Sequence, residues 1–213
     1  MGTDIHIQIE IKREGKWEWV NKNLPDYINK HSYIPISRDR NYHLFAILAN
    51  VRNGSGFAGC DTGDGFNFIS EPKGLPLDMD AKLLIEQEEN GILGDHSFSY
   101  VTLKELIDFD WKQTTKLRGF VNKDEFIQWV IDKKEPSQYC GGTSGKCVTN
   151  KEMQKLIDLN KYNGEYTQVE WTQTYIDAVG FDTYWEFTSL SHFIDYDKIV
   201  SNEDIRIVFG FDS

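Results

Sequence analysis

The sequence predicts an α+β fold in a single domain, residues 1–213. A mixed or antiparallel sheet contains an N-terminal hairpin and a C-terminal strand, is covered by several helices, and is interrupted by long glycine-rich loops. Three observations carry this expectation. Residues 4–12 alternate strictly, with Ile5, Ile7, Ile9 and Ile11 on one side and Asp4, His6, Gln8, Glu10 and Lys12 on the other, the period of two of a strand with one buried face. Near the other end, Ile205-Arg206-Ile207-Val208-Phe209 is rich in β-branched and aromatic residues and reads as a strand. Between them lie segments with helical apolar spacing and recognisable caps. With strands at both ends of the chain, the two are expected to pair in one sheet.

Gly15 supplies a turn after the first strand, and Lys16-Trp17-Glu18-Trp19-Val20 alternates again, which completes a hairpin. A polar stretch punctuated by Pro25 and Pro35 follows. From Tyr42 to Val51, the residues Leu44, Phe45, Ile47, Leu48 and Val51 fall near helical spacing, with Ser37 or Asp39 as the cap. Residues 52–69 carry glycines at 54, 56, 59, 63 and 65, which predicts a long irregular loop of the kind that often holds function. Asp78 or Asp80 caps a short helix through Glu89, stopped near Gly91. Thr102-Leu103-Lys104-Glu105 fits a capping box for a helix ending before Trp111. Asn122 opens a helix with Phe126, Trp129 and Val130 inward. Residues 136–149 form a second glycine-containing loop, and Asn150 caps a helix through about Leu159. Residues 168–181 fit strand and helix equally, while Asp182 to Phe193 reads as helix by Trp185, Leu190 and Phe193. Residues 112–165 stand as a candidate inserted helical subdomain.

Twenty-three Lys and Arg against 34 Asp and Glu leave a formal charge of −11. That balance argues against binding to long nucleic acids, where affinity comes mainly from neutralising phosphates. Aromatic residues are 14% of the chain, which excludes a disordered protein. No run approaches the roughly 18 apolar residues of a membrane span, and no basic-then-apolar leader opens the chain, so neither membrane insertion nor export is expected. Gly2 is in place for myristoylation, but His6 stands where Ser or Thr is needed. Cys60, Cys140 and Cys147 cannot all pair within one chain, and a reducing cytoplasm is the simplest compartment. The charge is also uneven. Three of the six arginines fall between residues 38 and 52, and residues 31–60 hold three basic side chains against one acid.

Four groups of residues offer chemistry. Asp4 and His6, two apart on a strand, project to one side, where a carboxylate can orient an imidazole for acid/base work or metal binding; a plain solvated strand face is the commoner arrangement for such a pair. In the segment SRDRNYHLF, Arg38 and Arg40 offer forked donors for phosphate, Asn41 can read an amide or base edge, and Tyr42 can stack on a ring. The alternative there is a capped helix with exposed arginines and Tyr42 in the core. Gly54 to Gly59 matches GxGxxG, yet a helix precedes it and irregular chain follows, so the dinucleotide fingerprint fails. Beyond it, Asp61, Asp64, Gly65 and Phe66 combine two carboxylates on flexible backbone, suited to ribose hydroxyls or a cation, or to turn chemistry alone. Asp95 beside His96, followed by Ser97, repeats the pairing of carboxylate and imidazole. No GxSxG or HExxH occurs, and Cys140 with Cys147 lacks zinc-knuckle spacing. A metal set drawn from Asp4, His6, Asp61 or Asp64, and His96 stays open, and the cofactor is left unassigned.

The opening MGTDIH, the block RNYHLFAILANVRNG, the DTGDGF and GLP stretches, DHSFS followed by TLKEL and a Trp, and the closing RIVFGFD together resemble a family of small proteins of tailed bacteriophages and prophages. The likeness spans most of the chain and is weakest over roughly 112–165. It highlights Asp4, His6, Arg40, Asn41, Tyr42, Arg52, Asp64, Gly65, His96 and Ser97. A phage origin implies the host-cell cytoplasm and raises one functional class, proteins that sequester or cleave the nucleotide signals of bacterial immunity.

Three functions follow as expectations. The first is a sponge for a small nucleotide-type ligand, such as a cyclic nucleotide or ADP-ribose derivative, in a homo-oligomer. Arg38, Arg40 and Arg52 would hold phosphates, Tyr42 or Phe66 would stack on the base, and Asp61 or Asp64 would take ribose hydroxyls. The second is a phosphodiesterase or related hydrolase with His6 and His96 as acid and base, positioned by Asp4 and Asp95. The third is an inhibitor that binds a host protein.

Overall fold

The computed structural model describes residues 2–20, 40–133, 135–194 and 201–212. Strand β1 (Asp4–Arg13) turns at Glu14 and Gly15, both at positive φ, into β2 (Lys16–Trp19), so the expected hairpin is present. The C-terminal strand is β6 (Ile205–Asp212), and it pairs antiparallel with β1 along its whole length, from Asp4 opposite Asp212 to Ile11 opposite Ile205. A further strand, β3 (His96–Thr102), joins the other side of β6, giving an antiparallel sheet in the order β2-β1-β6-β3. The fold is therefore α+β, with the two ends of the chain side by side in one sheet.

Helix α1 (Tyr42–Ala49) packs on this sheet. Its residues Leu44 to Ala49 are all buried, and the Phe45 ring meets Phe211 edge-on at 5.2 Å. The apolar face of the sheet, Ile5, Ile9, Ile11, Ile207, Phe209 and Phe211, forms the centre of the core with α1. Asn41 caps α1 by accepting from the Leu44 amide at 3.1 Å. Ser37 and Asp39, the caps expected from the sequence, lie outside the described residues, as does Arg38.

The opposite face of the sheet is not left to water. Helix α2 (Ala81–Asn90), capped by Asp80 and ended by Gly91 at positive φ, lies near it. Glu10 is fully buried there, and its carboxylate accepts from the Asp80 amide at 2.6 Å and from Arg206 Nε at 2.7 Å. The polar side of β1 thus includes a buried charge.

Helix α3 (Leu103–Asp108) starts in the expected capping box of Thr102 and Glu105. A second sheet pairs β4 (Thr114–Val121) with β5 (Thr167–Thr174), antiparallel. Between them run α4 (Lys123–Asp132), capped by Asn122, and α5 (Asn150–Asp158). Residues 112–165 therefore include a strand and depend on β5 beyond them, which corrects the purely helical insert. The cap of α5 is also corrected, from Asn150 to Thr149 with Glu152 completing the box; the Asn150 side chain accepts from the Thr167 hydroxyl instead. Residues 168–181 resolve into the end of β5 and then α6 (Tyr175–Val179). The helix expected over 182–193 is divided into α7 (Phe181–Thr188) and α8 (Ser191–Ile194). Among the described residues, no helix is long and apolar enough to cross a membrane.

Candidate functional site

An open groove of about 880 Å³ runs between the start of α1, the glycine loop that follows it, and the loop after α4. Arg40, Asn41, Tyr42 and His43 form one side, and Arg52, Gly54, Gly56, Cys60, Thr62 and Phe66 the floor. Tyr139, Cys140 and residues 141–144 form the facing wall, with Ala178 of α6 at its edge. Among the described residues, no Asp or Glu lines it. Five sequence-selected ligand residues, Arg40, Asn41, Tyr42, Arg52 and Phe66, meet here.

Each is held by identifiable contacts. Asn41 is committed at both ends of its amide, capping α1 through Oδ1 and donating from Nδ2 to the Val179 carbonyl at 2.7 Å. It therefore joins α6 to α1 and shapes the groove from behind. Arg52 adopts φ 57 just after α1, which turns its side chain back toward the strand end. Its Nε and Nη2 donate to the Thr3 hydroxyl at 3.0 and 2.8 Å, and its guanidinium lies 5.5 Å over the Tyr42 ring. Arg40 donates from Nε and Nη2 to the two oxygens of Asp4 at 2.5 and 2.9 Å, a forked pair that holds the Asp4 carboxyl below its ordinary range.

His43 also lines the groove. Its Nδ1 donates to the Ala178 carbonyl at 2.9 Å and its ring rests 5.1 Å from Phe66. Burial pushes the imidazole below its ordinary value of 6.5, against a smaller upward push from the Ala178 carbonyl, so it is neutral at pH 7 with the proton on Nδ1. The three thiols are free, and Cys60 and Cys140 face the groove. Burial, then the neighbouring Cys147 and Cys60, push the Cys140 thiol up, which keeps it protonated.

The glycine loop holds its carboxylates away from the groove. Arg118 of β4 pairs with Asp61 at 2.8 Å and with Asp64, and its Nε lies 3.2 Å from Glu170. Gly63 lies flat on β4 at φ 143, where an added Cβ would stand 2.3 Å from the Lys116 carbonyl oxygen. Gly65 serves the same turn, its backbone flanked by Asn53, whose side chain accepts from the Phe66 amide at 2.6 Å and donates to the Phe66 carbonyl at 2.8 Å. Asp61, Asp64 and Gly65 are thus loop-forming residues and do not line the groove.

The histidine pairings also differ from expectation. The partner of His6 is Asp212, with Nε2 to Oδ2 at 2.8 Å, while Asp4 is taken by Arg40. Asp212 Oδ1 in turn accepts from the Asp4 amide at 3.3 Å. His96 bonds Ser97 at 2.9 Å and stacks on Phe211, and Asp95 contributes its backbone amide to the Phe211 carbonyl. His6 lies opposite Gly210 and His96 opposite Phe211, so consecutive positions of β6 place the two imidazoles on opposite faces of the sheet. They do not form an acid/base pair, and the metal set that combined them does not assemble. Among the described residues, no group of three or more His, Cys, Asp or Glu side chains is arranged to hold a metal ion.

Sequence reasoning missed Thr3, His43, Asp212 and the wall at 139–144. The wall carried a signal, the glycines at 141, 142 and 145, whereas Asp212 reaches His6 only through strand pairing. No protein-family model, curated protein or solved structure matches this chain.

Proposed function

We propose that this protein binds a small nucleotide-type ligand in the groove between α1 and the two glycine loops. In a phage-infected cell this would sequester an immune signal such as a cyclic nucleotide or ADP-ribose derivative, within the cytoplasm and as a homo-oligomer. The observation that carries the reading is the lining, in which the described residues supply two arginines and the rings of Tyr42, Phe66 and Tyr139 with no acidic side chain, on a chain of net charge −11. A groove lined by arginine and not by carboxylates, on an otherwise acidic chain, favours a compact anion over a long one. Arg40 and Arg52 would take phosphate oxygens, and Tyr42, Phe66 or Tyr139 would stack on a base. Thr143, Ser144 and the amides of Gly141 and Gly142 replace Asp61 and Asp64 as partners for ribose hydroxyls.

Titration calorimetry against cyclic dinucleotides, ADP-ribose and its cyclic forms tests this, followed by heat release of the bound nucleotide. At least one is expected to bind. Arg40→Met should weaken it roughly 10- to 100-fold, the loss of one charge-assisted contact of about 1.5–3 kcal/mol. If no member of the panel binds, the reading is wrong.

A further inference from the structure

Four ionisable side chains meet where β1 and β6 end: Asp4, His6 and Asp212 from the strands, and Arg40 from the residue before the Asn41 cap. Only Arg40 also lines the groove. Its guanidinium packs against Gly2, where an added Cβ would stand 2.4 Å from Nη1, so its place over the strand end is fixed by the backbone as well as by Asp4. The groove and the strand-end cluster are therefore joined through one side chain.

Within the cluster the roles divide. Both Asp4 oxygens are engaged by Arg40, which leaves Asp212 to orient His6. A neutral imidazole that donates Nε2–H to a carboxylate carries its lone pair on Nδ1, and no described residue is bonded to that nitrogen. The His6 side chain is 37% exposed, so water and a ligand can reach it. An imidazole fixed in tautomer by a carboxylate, open on its other nitrogen, beside an arginine, matches the needs of general-base attack on a phosphoester.

We propose that His6 and Asp212 form a general-base dyad that hydrolyses a phosphodiester resting on Arg40 where a nucleotide extends from the groove over the strand end, an activity that rests on the binding reading above. The oxygen of one water bonds to phosphorus while its proton passes to His6 Nδ1. The bond from phosphorus to the leaving oxygen breaks, and the imidazolium returns that proton to the leaving alkoxide, so one water is consumed per ester cleaved and no oxidant is needed. Arg40 stabilises the charge that grows on the phosphoryl oxygens. His96, on the other face of the sheet, has no part.

The test uses the full chain with two probes, bis(4-nitrophenyl) phosphate as a generic diester and cyclic di-AMP. Cleavage of both is expected. His6→Ala and Asp212→Asn should lower turnover about 10²- to 10⁴-fold while circular dichroism and cyclic di-AMP affinity stay unchanged. Added imidazole should restore activity to His6→Ala, which a purely structural loss would not allow. Failure to cleave the generic diester, or full turnover in folded His6→Ala, overturns the dyad whatever the groove binds. Cleavage of the generic diester with no nucleotide bound would overturn the binding reading alone.

Discussion

His43 carries a pH dependence that its surroundings make readable. Its folded-state pKa lies below the ordinary 6.5 because burial disfavours the imidazolium, while in the unfolded chain it titrates normally. Below pH 6.5 the unfolded state therefore binds more protons than the native state, and stability falls as pH drops toward the lowered folded value. The urea midpoint of the wild type should decline over that window, and His43→Gln should decline less; equal slopes would show that burial does not depress this imidazole. At this scale the site was legible where a residue announced its chemistry by type and neighbourhood. Arg40, Tyr42 and Arg52 stood out because arginine and aromatic residues gathered next to glycines. Asp61 and Asp64 misled because the same composition describes a turn, and only the position of Arg118 on β4 decides where their oxygens point. His6 and Asp212 are 206 residues apart, a pairing that no spacing rule reaches.

Helix starts were legible where the cap is local chemistry, as at Asp80, Thr102 and Asn122, whereas the caps of α1 and α5 fell on Asn41 and Thr149 instead of the expected residues, and the helix expected over 182–193 is divided. Thr102 with Glu105 and Thr149 with Glu152 each form a reciprocal box, in which the threonine hydroxyl takes the third amide and the glutamate returns to the threonine amide. Thr149→Ala should cost about 1 kcal/mol, within the usual 0.5–2 for a lost cap, read from guanidinium unfolding. Asn150→Ala should not fray α5, since its side chain bonds Thr167 and not the helix start; a larger loss of helicity there than in Thr149→Ala would contradict the assignment. Strands were harder. β4 alternates cleanly, with Thr115, Leu117, Gly119 and Val121 inward, but threonine and glycine weaken the apolar signal. β3 is interrupted between His96 and Ser99, with Ser97 at φ 52, so its side-chain period is broken within the strand.

The whole molecule depends on β6, which lies between β1 and β3 and so joins the two ends of the sheet. One polar network ties that strand to its neighbours across the face opposite α1. Arg206, 3% exposed, donates to Glu10 of β1 and to Asp78 before α2, and lies 3.9 Å over the Trp17 ring of β2. Burial pushes the Glu10 carboxyl above its ordinary range, and the Asp80 amide and Arg206 offset only part of that shift, so desolvation outweighs attraction. A pair of this kind is costly to break and cheap to replace. Glu10→Met leaves a buried guanidinium with Asp78 alone, which is itself largely exposed, and should lose about 3–5 kcal/mol. The double replacement Glu10→Met with Arg206→Met removes both charges and keeps apolar volume under Trp17; Asp78 returns to water, and the loss should be far smaller than in the single variant. Denaturant unfolding of wild type, both singles and the double gives the coupling directly. Additive losses would mean that Arg206 holds the three strands by packing against Trp17, with the charge on Glu10 irrelevant to the sheet.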